Sequence, residues 1–175
     1  MPSEQSHNAA EAIDTWRADG ALFDWRGHDI WYRDEGGVDR PVLVMIHGFP
    51  TASWDWRHIL PALSADYRVV MMDLLGFGLS AKPRRFPYSI HAQADMVEAL
   101  LAERGVSHCR ILAHDYGDTV TQELLARHGE RADRQQSGLK LDKGVLLNGG
   151  LFPENHLPLR LQKPLNRPPR PAGGE

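Results

Sequence analysis

The stretch Ala113-His114-Asp115-Tyr116-Gly117 constrains this chain more than any other five residues. It follows the apolar run Cys109-Arg110-Ile111-Leu112, which reads as a buried strand, and precedes Asp118–Arg127, which reads as a helix. Small residues at 113 and 117 let strand and helix approach closely, so the chain can pass from one to the other through a single tight turn. The apex residue, Asp115, then sits in a strained conformation with its side chain projecting outward.

The rest of the chain supports a sheet that can carry such a turn. Val42–Ile46 is a continuous apolar run, as expected for a parallel strand covered on both faces. A helix is predicted from about Ser53 to Ser64, a strand over Tyr67–Asp73 and a long helix over about Ile90–Arg104. The helix after the tight turn continues to about Arg131, Ala132–Lys140 reads as a surface loop, and a sixth strand covers Lys143–Asn148. Alternating strands and helices imply βαβ crossovers and a mostly parallel sheet. Upstream, Ala21–Arg26 and Asp29–Asp34 around Gly27 read as two antiparallel strands. The chain thus divides into three parts. Residues 1–20 form an N-terminal extension with a short helix over about Asn8–Arg17. Residues 21–152 form an α/β core of six strands. Residues 153–175 hold six of the twelve prolines and are expected to be a disordered Pro/Arg-rich tail.

Composition excludes several classes. A net charge of −3 and a pI near 6.3 give no basic surface for nucleic acid. No apolar run reaches the roughly 18 residues that cross a bilayer. The lone Cys109 has no partner for an internal disulfide, which fits a reducing, cytoplasmic setting. Histidines and carboxylates fall into no metal-ligand spacing, and Gly76-Phe77-Gly78 lacks the third glycine of a dinucleotide fingerprint. No cofactor or metal is expected. Protein partners are left unassigned.

Three motifs follow predicted strands, where open α/β sheets place ligands. They are His47-Gly48-Phe49-Pro50, Asp73–Ser80, and the turn at 113–117. Small-x-nucleophile-x-small between strand and helix is the arrangement of a nucleophile elbow. Asp115 would then attack as a carboxylate, and the backbone N–H groups of Phe49 and Tyr116 would form an oxyanion hole. Trp54 and Trp56 belong either to the packing of the first core helix or to the entrance of the site.

HGFPTASWDW, DLLGFGLSAKP, HDYGDTVTQELLAR and LLNGGLFPENH together resemble the α/β-hydrolase superfamily, over about Pro41–Lys163. The resemblance is to the branch of epoxide hydrolases and haloalkane dehalogenases, and within it to hydrolases of the mesoderm-specific transcript type. It implies an α/β-hydrolase core, Asp115 as nucleophile, Phe49 and Tyr116 as oxyanion donors, and His47, Gly48, Pro50, His114 and Gly117 as the surrounding turns. It implies hydrolysis of a carbon–heteroatom bond in a small apolar substrate through an alkyl-enzyme ester. Tyr116 and Phe49 stand where dehalogenases carry Trp and a polar residue, which favours an epoxide over a halide.

The family pattern continues beyond the sixth strand with a cap, two more strands, a catalytic acid and a late histidine. Here the last histidine is His156 and the chain ends at Glu175. The expectation is therefore a C-terminally truncated hydrolase that could alkylate Asp115 without turning over, its sixth strand an apolar edge. The alternative is a non-catalytic binding protein on the same fold, using its tail to contact a partner. A serine esterase is excluded, because none of Ser53, Ser64, Ser80, Ser89, Ser107 and Ser137 occupies an elbow.

Overall fold

The computed structural model describes residues 4–149, with side chains from Ala10 onward. The segment 150–175, including the proline-rich tail and His156, lies outside the described residues. Helix α1 spans Glu4–Ala18, strands β1 and β2 span Ala21–Trp25 and His28–Glu35, and β3 spans Val42–Ile46. A 3-10 helix at Ser53–His58 and a single turn of helix, α2 at Leu60–Leu63, precede β4 at Arg68–Met72. Helix α3 (Ile90–Glu103), β5 (His108–His114), α4 (Tyr116–Asp133) and β6 (Lys140–Leu147) complete the order.

Six strands form one sheet in the order β1-β2-β4-β3-β5-β6. The β1–β2 and β2–β4 pairs are antiparallel; β4–β3, β3–β5 and β5–β6 are parallel. The apolar runs at the centre follow from burial on two faces. Val44, Ile46, Val70 and Met72 pack towards α3 and α4, with Val97, Leu100 and Leu124. Their neighbours Leu43, Met45, Val69 and Met71 pack on the other face, with Trp16, Trp56 and Leu60. A strand whose alternate residues enter different cores has no polar face to show.

Two predicted elements need correction. The helix expected over 53–64 is broken into a 3-10 helix and a four-residue α turn. Pro61 lies at the start of that turn, where its missing N–H is tolerated but cannot continue an earlier helix. The sixth strand begins at Lys140, because its pairing with β5 opens at His108 and Lys140 and absorbs an irregularity near Asp142. The loop before it is correspondingly shorter than predicted.

Among the described residues β6 is one rim of the sheet, with Val145 53% and Leu147 40% exposed. Beside it on the second face lies a groove of about 330 Å³, lined by Leu63, Tyr67, Arg110, Leu112, Lys143 and Val145. Trp56 is buried in the second core and Trp54 packs edge-on against Trp16, ring centroids 5.3 Å apart. These two tryptophans thus serve the packing beneath α1. No described helix is long and apolar enough to cross a membrane.

Candidate active site

The turn between β5 and α4 is as tight as its small residues imply. Asp115 has φ 53° and ψ −112°, a region that non-glycine residues enter at a cost of about 1–3 kcal/mol. Gly117 permits it: a Cβ there would strike the carbonyl oxygen of Ile46 and lie 2.8 Å from that of His47. Gly48 meets the turn from the other side, where a Cβ would lie 2.8 Å from Cβ of Asp115. The ends of β3 and β5 and the start of α4 are therefore pressed together at backbone contact.

That contact brings the sequence-predicted residues into one place. Oδ1 of Asp115 accepts hydrogen bonds from the N–H of Phe49 at 2.9 Å and of Tyr116 at 2.6 Å. The carboxylate does not stand bare between the two amides. Instead one of its oxygens occupies them, since two convergent donors at a helix N-terminus attract the nearest anion. Oδ2 has no hydrogen-bond partner among the described residues, and Asp115 is half-buried.

His47 is fully buried and committed on both sides. Its Nδ1 lies 2.8 Å from the carbonyl of Gly48, and its Nε2 accepts the N–H of Leu74 at 3.0 Å. Burial pushes its pKa below the ordinary histidine value, outweighing the pull of the Gly48 carbonyl and of Asp73. It is a neutral brace between the turns after β3 and β4. Asp73 is a second brace. It accepts from the N–H and hydroxyl of Ser53 at 2.8 and 2.5 Å and from the N–H of Leu79 at 2.6 Å.

Those braces hold Phe77, which sequence reasoning passed over as part of a glycine-rich turn. Its ring meets Phe49, His47 and Tyr116 with centroids 6.2, 5.4 and 5.9 Å apart. Phe49, Phe77 and Tyr116 make an aromatic wall on the β3–β4 side of Asp115. Burial raises the Tyr116 hydroxyl above the ordinary tyrosine value, with Gln93 partly opposing it. Lys82 ties this loop by donating to the carbonyls of Gly78 at 2.6 Å and Ser80 at 3.0 Å. The position of Phe77 after a strand was the available signal. On the other side of Asp115 two further residues went unread, Asp118 in α4 and Asn148 after β6. Pro50 follows Phe49 at the exposed end of its turn, and His114 lies half-buried between Gly48 and Asn148. Among the described residues no three His, Cys, Asp or Glu side chains converge to hold a metal ion.

Comparison with known proteins agrees with this fold. Residues 41–166 match the family model described as alpha/beta hydrolase fold. The mesoderm-specific transcript homolog protein of Bos taurus is 46% identical over 157 residues, 87% of this chain and 46% of that protein. A haloalkane dehalogenase of Bradyrhizobium diazoefficiens is 37% identical over 101 residues, 58% of this chain and 32% of the enzyme. Among solved structures, an alpha/beta hydrolase fold protein from Burkholderia ambifaria superposes with a TM-score of 0.64 at 34% identity. That match covers 76% of this chain and 45% of the other. The chain spans less than half the length of these relatives.

Proposed function

We propose, from the premise that this chain belongs to the α/β-hydrolase family, in its dehalogenase-like branch, that Asp115 is the nucleophile of a carbon–heteroatom bond hydrolase. The observation that carries the reading is the division of labour within one carboxylate. Oδ1 is held by the Phe49 and Tyr116 amides, and Oδ2 is left without a partner among the described residues. Oδ2 attacks the substrate carbon and forms an alkyl ester. Oδ1 then becomes the ester carbonyl oxygen, already seated between two N–H donors. When water adds to Cγ, negative charge develops on Oδ1, where such donors contribute about 3 kcal/mol each in a well-studied protease. The hydrogen bonds that tie the resting carboxylate are the ones the second step requires.

The aromatic wall favours a small apolar substrate, and an epoxide over a halide. No indole or side-chain amide donor stands at Phe49 or Tyr116 to hold a departing halide ion. Water attack on the ester also needs a general base, worth about 10²–10⁴-fold. His47 cannot serve, since both ring nitrogens are engaged. Alkylation at Asp115 is the step that these residues of the chain would carry out.

Incubation with styrene oxide or 1-bromobutane, followed by peptide mass spectrometry, tests this. One adduct at Asp115, absent in Asp115→Asn, is expected. An unmodified Asp115 with every epoxide and haloalkane tried would leave the alternative, a binding protein whose carboxylate merely caps its own helix.

A further inference from the structure

The two amides that hold Oδ1 of Asp115 reach it by different routes. Tyr116 follows Asp115 directly and begins α4, so chain connectivity and the helix place its N–H. Phe49 is 66 residues away in sequence, in the turn after β3, with Pro50 and Thr51 exposed beside it. The contact at Gly48 limits how closely this turn can approach Asp115, but it does not stop the turn from swinging away. A hydrogen bond weakens steeply once its geometry drifts. Something must therefore hold the Phe49 turn where its amide can reach the carboxylate.

Phe77 supplies that hold. Its ring and that of Tyr116 pack against the core beneath α3 and α4, with centroids 5.9 Å apart. The same Phe77 ring meets Phe49 with centroids 6.2 Å apart at 88°, an edge-to-face contact. Buried His47, two residues before Phe49, is the third ring it touches. Phe77 is itself firmly mounted. Its N–H donates to the carbonyl of Leu74 at 2.9 Å, and its carbonyl accepts from the N–H of Ser80 at 3.1 Å. Gly78 on one side has φ 46°, and a Cβ there would collide with the Asp73 carboxylate. Gly76 on the other side has φ 96°, and a Cβ there would lie 2.9 Å from Cε1 of Tyr88. A turn fixed at so many points presents one side chain, and that side chain touches both residues that grip Asp115.

We propose that Phe77 is a positioning residue, a wedge that holds the Phe49 turn against the start of α4 so that the Phe49 amide grips Oδ1 and Oδ2 is aimed at the substrate carbon. The role in the reaction rests on Asp115 being the nucleophile; the wedge itself does not. In the attack a lone pair on Oδ2 forms the new C–O bond. The electron pair of the breaking bond leaves on the ring oxygen of an epoxide, or with a halide as its ion. Phe77 takes no part in that exchange of bonds. It fixes the direction from which Oδ2 arrives, and a misplacement of about 1 Å can slow an oriented reaction roughly 10²-fold.

The test uses the full chain and its Phe77→Ala, Phe77→Leu and Phe77→Tyr variants. Residue-resolved amide hydrogen exchange is read at Phe49, with Met45 in β3 and Met71 in β4 as references. Phe77→Ala and Phe77→Leu should speed exchange at Phe49 at least about tenfold more than at the references. The Tyr116 amide should respond less than that of Phe49. Phe77→Tyr keeps the ring and should stay within about threefold of wild type. Labelling of Asp115 is followed with styrene oxide and with 1-bromobutane. In Phe77→Leu the maximal rate should fall at least about tenfold with both reagents, with half-saturating concentrations within about threefold of wild type. Exchange at Phe49 that only keeps pace with Met45 and Met71 would overturn the proposal, since Phe77 would then support the fold as a whole. So would slowing confined to styrene oxide, or a raised half-saturating concentration at an unchanged maximal rate; either makes Phe77 a wall for the substrate. If neither reagent labels wild-type Asp115, the nucleophile reading fails by itself, and exchange at Phe49 still decides the wedge.

Discussion

Gly117 meets the carbonyl oxygens of Ile46 and His47 at a distance that leaves no room for a β-carbon. In an open stretch of helix, replacing glycine with alanine stabilises by up to about 1 kcal/mol. At Gly117 the sign should reverse, since overpacking costs about 1–3 kcal/mol. Gly129 lies in the same helix with nothing within 4 Å of its would-be Cβ. Gly129→Ala should raise the urea midpoint and Gly117→Ala should lower it. Matching shifts in the two variants would contradict the close approach.

The brace at His47 makes the fold sensitive to mild acid. Burial holds its folded pKa below the ordinary value of 6.5. The unfolded chain therefore takes up the proton first, and the stabilisation is fully present above pH 6.5. It is lost as pH falls from there towards the folded pKa, by at most about 1.4 kcal/mol per pH unit within that window. His47→Gln removes this titration. Urea unfolding at pH 7.5 and 5.5 should show a smaller loss of stability on acidification in the variant than in wild type.

Asp34 anchors the far side of the sheet. It receives Nε and Nη2 of Arg68 at 2.8 and 2.6 Å and Nε of Arg104 at 2.8 Å. Burial alone would raise its pKa, but the hydrogen bonds from Arg68 and Arg104 prevail and hold it below the ordinary 3.8. Its contribution is therefore present above about pH 4 and disappears as pH falls below that. Asp34→Ala should cost about 3 kcal/mol at pH 7, the low end for a buried pair because Arg104 is 35% exposed. The gap between variant and wild type should narrow in urea titrations as the pH is lowered from 7 to 3.

Cys109 is buried, and burial, with a smaller push from Asp142, raises its thiol to about 12. With almost no thiolate at pH 8, iodoacetamide should leave native protein untouched and modify it on denaturation. Rapid labelling of the native state would show that β5 opens near the rim of the sheet.

The sequence was most legible where structure depends on near neighbours. The apolar runs of β3 and β4, the β1–β2 pair and the turn at Asp115 are each encoded within at most fifteen residues of chain. The helix expected over 53–64 failed locally too, because Pro61 was read through. Phe49 and Asp115 were found together because each carries its own turn motif. Asp118 and Asn148 were missed for a different reason. The close approach of Asp118 to the turn after β6 joins residues 31 positions apart, Asp118 and Gly149, and an acid near the start of a helix gives no sign of whether it points outward or in.

The order of strands around β5 also gives this face of the molecule a handedness. The unpartnered oxygen of Asp115, the Phe49–Phe77 side and the Asn148 side are three unlike features in a fixed rotational sequence. On the proposed reading of Asp115 as nucleophile, the two mirror forms of a chiral oxirane meet this face differently. The (R) and (S) forms of styrene oxide should therefore label at measurably different rates.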